Sequence, residues 1–383
     1  MLWCGAAGRC VARRLITARP LVTVGPGPGT TSRSFSVSPC RCSDVTGPRP
    51  VLGQWDFVVS PFCGVRARAG GCGVAVRSPD PHASPTADRA LVVLYGSGVD
   101  PNSSHVNVSY DGRNRELSVL ADRVTGSSDV TVEVTTSIKS NIDIVTHGAG
   151  DVRVHNMESD VCKVRTERGC CVLQSVKGHE VEVQSDGGHV TGVGTIHGNV
   201  TITTSGDGAV DVKKLQGTVM HVSTECGTLK VKAIYAESTS ISSSSGTVEL
   251  GHLHGDATVK NVSGDVIINS SNGSLKVWSS SGNIDVYVGQ SGSAEVFSQS
   301  GAVCVRVPSS LRAGVDLVGT SVEVSPEVTL QEAKHNTTGG QTQVTGYVNG
   351  NPGTAQMIKA EAAQGVVSLK KQSWFESLRL QGS

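Results

Sequence analysis

The sequence predicts an all-β protein: a single-stranded parallel β-solenoid of about eight coils of ~19 residues, with a β cap at each end. Three observations predict it. First, one small phrase recurs from 140 to 307: a polar turn, a glycine, then apolar–x–apolar. Gly150-Asp151-Val152-Arg153-Val154, Gly198-Asn199-Val200-Thr201-Ile202 and Gly282-Asn283-Ile284-Asp285-Val286 are examples. Second, the phrase keeps time. One glycine series reads 150, 169, 188, 208, 227, 246, 264, 282 and 301, with gaps of 18 to 20 residues. A second series (Ser159, Gly178, Gly198, Gly217, Glu237, Gly255, Gly273, Gly292) follows the first by 9–10 residues, so each repeat should hold two strands and two turns. Third, glycine makes up 46 of 383 residues and rings only 4%, which suits a narrow core with many corners.

The period-two alternation sends one face of each strand inward. Helix is excluded by that alternation, by the β-branched residues and by a glycine at about every tenth position. Two or three apolar side chains per coil make no core alone. Stacked coils share one apolar column and pair their strands. A sandwich of antiparallel hairpins is the alternative, and the regular beat favours the solenoid.

Four segments follow in chain order. Residues 1–45 form a leader. Arg9, Arg13, Arg14, Arg19 and Arg33 precede the first acid, Asp44, which is the composition of a mitochondrial transit peptide. Arg33-Ser34-Phe35-Ser36 is the candidate processing site, with matrix the expected compartment and cytoplasm the alternative. Residues 50–125 form an N-terminal β cap, with strands at 55–60, 74–77 and 91–95, a proline-broken loop over 77–89 and a hairpin at Asp111-Gly112-Arg113-Asn114. Residues 126–307 are the solenoid. Residues 308–383 form a C-terminal β cap. There, 334–343 should be a mobile loop and 349–353 a hairpin turn. Gly365 and its neighbours look like a last rung, with Trp374, Phe375 and Leu378 as a plug. Open solenoid ends need such covers because they expose core and unpaired strand edges.

The phrase Ser-x-Ser-Gly-x-Val/Ile, beginning at Ser243, Ser279 and Ser298, resembles the bacterial "putative adhesin" family, whose members carry a head domain like that of auto-transporter adhesins. The resemblance covers about 125–370 and implies a parallel β-helix. The family carries no catalytic motif that could be transferred to this chain.

No reaction centre is expected: no catalytic, cofactor-binding or metal-binding residue is assigned. Eleven cysteines include Cys4, Cys10, Cys40 and Cys42 in or beside the leader and seven others, with no Cys-x-x-Cys pair. Of the vicinal Cys170 and Cys171, one should point into the core and the other out. His197 and His254 hold the same place in the repeat three coils apart, roughly 14 Å, too far for one metal. His252 and His254 share a face but lack a third ligand. Asp151, Asp160 and Asp265 follow turns, where a carboxylate accepts a backbone N–H. Asp207 and Glu225 are the nearest thing to the paired carboxylates of a sugar-cleaving β-helix, and their turn-like setting favours corner duty.

Net charge is zero, but setting aside the five arginines of residues 1–35 leaves 28 basic against 33 acidic residues. A mildly acidic body argues against nucleic-acid binding. No 18-residue apolar run exists, so no membrane-spanning helix is expected. The expectation is a non-enzymatic mitochondrial scaffold for an unknown protein partner, of undetermined oligomeric state. The alternatives are a carbohydrate-binding or carbohydrate-active β-helix, and a secreted adhesin-like protein. The six Asn-x-Ser/Thr sequons (Asn102, Asn107, Asn199, Asn261, Asn272, Asn336) permit the last.

Overall fold

A computed structural model describes residues 49–80, 88–96, 105–122, 130–350 and 356–372. The leader with its processing site, most of the proline-broken loop, Asn102 and the Trp374–Phe375–Leu378 plug lie outside the described residues. All regular structure described is β, joined into one hydrogen-bonded sheet system with a long parallel ladder.

The ladder's register is the sequence period made physical. Cys171 pairs with Val190, Val190 with Val210, Val210 with Leu229 and Leu229 with Val248. A repeat, however, holds three pairing runs rather than the two expected. In the strand Cys171–Ser185 they begin at Cys171, Val176 and Glu180, with register breaks between them. The middle run puts Val176, Ile196, Leu215, Ile234 and Leu253 into the core, all at 1% exposure or less. Each rung therefore buries four or five apolar side chains, such as Cys171, Leu173, Val176, Val181 and Val183. At about 1.5–3 kcal/mol for burying a large apolar side chain, that column is the main favourable term.

One corner explains the first glycine series. A Cβ on Gly169 would lie 2.0 Å from the carbonyl oxygen of Gly150, and one on Gly188 1.9 Å from that of Gly169. Each rung's glycine rests on the carbonyl of the one before, and only a hydrogen fits between. Gly282 adds a φ of +139° to a would-be Cβ contact of 2.1 Å with Gly264 O. Just before that corner runs a buried polar column: Thr146, Thr166, Ser185, Thr204, Thr224, Ser243, Asn261, Ser279 and Ser298. In some rungs its hydroxyl holds the turn, while those of Thr166, Thr224, Ser243 and Ser279 find no partner among the described residues. Thr146 donates to Gly150 O at 2.9 Å, Ser185 to Gly188 O at 2.8 Å and Thr204 to Gly208 O at 2.9 Å. The second series follows the same logic with one correction. Gly217 pairs with Ala236, so Ala236 and not Glu237 holds the column position.

Both ends of the ladder are closed by chain inserted out of sequence order. At the first end, Gly64–Gly70 lies between Glu116–Asp122 and Asn141–His147, parallel to both. Gly73–Arg77 lies likewise between Thr131–Thr135 and Val152–His155. At the other end, Met357–Lys371 lies between Ala313–Val324 on one side and Ser293–Ser300 with Val303–Val307 on the other. Gly365 there rests on Gly301 O, with a would-be Cβ contact of 2.0 Å, so the corner column continues through the insertion.

Antiparallel strands finish each end. His105–Asp111 pairs with Glu116–Asp122 through the expected hairpin, and Asp111 accepts the Arg113 N–H at 2.8 Å. Those turn amides hold the Asp111 carboxyl below its ordinary range. Val51–Val58 pairs with Arg89–Tyr95, which pairs with Thr131–Thr135. Two expectations in the C-terminal segment need correcting. The segment 334–343 is not a mobile loop but part of a hairpin, Leu330–Thr338 with Gln341–Val348, turning on Gly339 and Gly340 at φ +64° and +82°. Paired left-handed glycines are what a tight two-residue hairpin needs. Nor does 349–353 join a hairpin. Gln341–Val348 and Met357–Lys371 pair with opposite edges of Ala313–Val324.

The corner geometry makes a prediction. Gly282→Ala should destabilise the protein by about 2 kcal/mol or more, because clash and backbone strain add. Gly64→Ala, where a Cβ meets nothing within 4 Å, should stay within about 0.5 kcal/mol of wild type. Urea unfolding followed by far-UV circular dichroism compares them.

Candidate functional site: a glycine-floored trough

The second glycine column does more than turn the chain. Ser159, Gly178, Gly198, Gly217, Ala236 and Gly255 are small, stacked and nearly flush with the backbone. On one side stand Glu158, Lys177, His197, Gln216, Tyr235 and His254, in register from rung to rung. On the other stand Asp160, His179, Asn199, Thr218, Glu237 and Asp256. Small residues between two polar rows leave a trough along the corner.

The trough deepens at one end into a groove of about 400 Å³, lined by Phe62, Lys139, Glu158, Ser159, Asp160, Lys177, Gly178, His179 and His197. Phe62, brought there by the inserted N-terminal rung, is 67% exposed. Lys139 pairs with Glu158 at 3.2 Å, and just outside the groove Lys163 holds Glu180 at 3.1 Å. Those neighbours hold the Lys163 ammonium above its ordinary range. Ser159 is 7% exposed, and its hydroxyl finds no hydrogen-bond partner among the described residues. Farther along, the rings of Tyr235 and His254 stack at 4.6 Å and 11°, and Lys214 Nζ sits 5.0 Å from the Tyr235 centroid.

The residues weighed in the sequence fall as follows. His197 lies in the groove. His254 is three rungs away, through Gln216 and Tyr235, as the period predicts. His252 and His254 flank buried Leu253 and both face outward. Among the described residues no three His, Cys, Asp or Glu side chains gather to hold a metal. Asp151 accepts the Cys170 N–H and Asp265 the Asn283 N–H, both at 2.8 Å from one rung to the next. Asp160 stands instead in the groove wall. Glu225 accepts the Gly206 N–H at 2.7 Å, so it holds a corner, and Asp207 beside that turn is exposed. Cys171 is fully buried and Cys170 half-buried, as an in-and-out pair should be. Burial pushes the Cys72 thiol up to about 11 and the Cys162 thiol to about 12, far from a reactive thiolate. One sequon is closed: Asn261 is 3% exposed and donates to Gly264 O at 2.8 Å.

The comparisons with known proteins bear on the middle of the ladder. Residues 175–302 match the Toastrack DUF4097 family. Among solved structures, a "putative adhesin" from Parabacteroides merdae is 12% identical, covering 84% of this chain and 96% of its own, at a TM-score of 0.34. A "putative adhesin" from Bacteroides fragilis is 14% identical, with 83% and 96% covered and a TM-score of 0.26. A "putative lipid binding protein" from Parabacteroides distasonis is 10% identical, with 82% and 96% covered and a TM-score of 0.26. The Toastrack match begins at Ser175 and spans the rungs from His179 to Ser300. The out-of-order rungs at the two ends, and the Phe62 end of the groove, lie outside it.

The trough was missed in the sequence, although its signals were there. Ser159 broke a glycine series, and Lys177, His197, Gln216, Tyr235 and His254 kept one phase of the period. The thiol assignments give a test. At pH 8 an alkylating reagent should modify half-buried Cys226 and Cys304 in the folded protein, while Cys72 and Cys162 react only after unfolding. Mass mapping of the alkylated peptides reads the order.

Proposed function

We propose that this β-solenoid is a non-enzymatic binding scaffold that holds a protein partner along the trough, and that it works in mitochondria. The observation that carries the reading is a contrast. Several groups that could do chemistry are committed to the fold: Glu225, Asp151 and Asp265 to backbone N–H groups, Cys72 and Cys162 to the core. The groups that could do recognition (Lys177, His197, Gln216, Tyr235) stand at the surface beside the glycine floor, and at the Lys177 and His197 end they line a groove. A concave site with a few convergent polar groups is the default place for a ligand. The arginine-rich, acid-free start supports the compartment.

A carbohydrate ligand is the second reading, prompted by the ring of Tyr235 beside the amide of Gln216. It has less support there, because His254 stacks on the ring and Lys214, from the rung before, lies over it. A sugar would find no free ring face.

Two measurements test the scaffold. A photo-crosslinking residue in place of Gln216 should give a discrete adduct in cells, and the same residue at Thr191, on another face, should not. Equal labelling at both positions, or at neither, contradicts a partner in the trough. Tagged full-length protein should co-localise with mitochondria and lose its leader. Diffuse, unshortened protein contradicts the compartment.

A further inference from the structure

We infer that the deep end of the trough is a binding site for an organic oxyanion, a phosphate or carboxylate carried on an apolar or aromatic group. The inference rests on the reading of the trough as a binding surface and names the chemistry it takes.

The charges point to an anion. The groove offers Lys139, Lys177, His179 and His197 as donors or cations, against Glu158 and Asp160. Glu158 is occupied by Lys139 at 3.2 Å, and neighbouring Glu180 by Lys163 at 3.1 Å. Among the described residues no carboxylate pairs with Lys177, His179 or His197. The one carboxylate left unengaged in the lining is Asp160, which stands across the glycine floor from Lys177 and sets the side from which an anion can approach.

Ser159 supplies the second, independent sign. Its hydroxyl is buried without a partner, a state that costs about 1–3 kcal/mol where nothing satisfies it. Other buried hydroxyls share that state, but Ser159 alone among them lines the groove. The position is one where most of the stacked rungs carry glycine, so the turn itself does not require a hydroxyl. Its Oγ is itself sealed from solvent, so a ligand oxygen in the groove would satisfy it once the side chain turns outward about χ1. Lys177 and His197 one and two rungs on would complete a set of three donors along the same wall and floor. Charge-assisted hydrogen bonds of that kind are the strong ones.

Phe62 sets the rest of the ligand. It closes the groove from the rung below Lys139 and exposes two thirds of its surface. An oxyanion held at Ser159 and Lys177 would place whatever it is attached to toward that ring. A bare inorganic anion would leave the ring unused.

Calorimetric titration of the full-length protein with phenyl phosphate, benzoate, inorganic phosphate and phenol tests this. Phenyl phosphate or benzoate should bind saturably, and whichever binds better identifies the oxyanion. Lys177→Gln should weaken binding about tenfold, in line with loss of one charged hydrogen bond, and Ser159→Ala by a few-fold. Phe62→Ala should weaken phenyl phosphate and leave inorganic phosphate unchanged. Lys232→Gln, on another face, should change nothing, and circular dichroism confirms that each variant is folded. No saturable binding of either organic anion, or equal binding by wild type and Lys177→Gln, overturns the inference. A Gln216 crosslink that persists in that case would leave the scaffold standing and remove only the anion site.

Discussion

The structure depends on the closeness of one corner. Each glycine of the first series lies against the carbonyl oxygen of the glycine a rung earlier, with no room for a methyl group. That contact sets the vertical spacing at a place where the backbone turns. Strand pairing and the apolar column then fall into step on either side. From the buried column beside it Thr146, Ser185, Thr204 and Asn261 donate to the turn carbonyls. Carboxylates and amides one residue past the glycine accept the next rung's N–H, as Asp151, Asp265 and Asn283 do. Where these bonds form, the corner is satisfied from inside and outside.

The same constraint shapes the proposed binding surface. A column of glycines is a floor because it has no side chains, and the residues on either side become walls. Where the floor carries Ser159 and the out-of-order rung brings Phe62, the trough becomes a groove with its own chemistry. The proposed site therefore lies at a departure from the repeat. The ion pairs on the flat faces, such as Lys230 with Glu249 at 3.0 Å, are solvent-exposed and of the kind that contributes little to stability.

Much of the middle of the fold was legible in the sequence because each rung repeats the same local demand. A glycine, a small polar residue three or four positions before it and two apolar pairs recur at one phase, and a single rung read well predicts the next. The third run was overlooked because it has one inward residue, Val176 or its counterparts, and a lone apolar position shows no alternation. The ends were not legible for a different reason. Which strand inserts between which is decided by pairing partners far apart in the chain, such as Gly301 with Gly365, and no local pattern records it. The corner glycine at 365 was visible, but its place between earlier and later rungs was not. The groove inherits that difficulty, since Phe62 reaches it through the N-terminal insertion.

The central claim is parallel stacking in register, one repeat per rung, and engineered cross-links test it most directly. Ser223 and Ser242 pair across neighbouring rungs with their hydroxyls 3.0 Å apart, whereas Ser223 and Ser240 are out of register. With the half-buried native cysteines replaced, Ser223→Cys/Ser242→Cys should close a disulfide under mild oxidation, since directly paired strands are about the right distance apart. Ser223→Cys/Ser240→Cys should stay reduced. Cross-linking of the second pair in preference to the first would contradict the stacking.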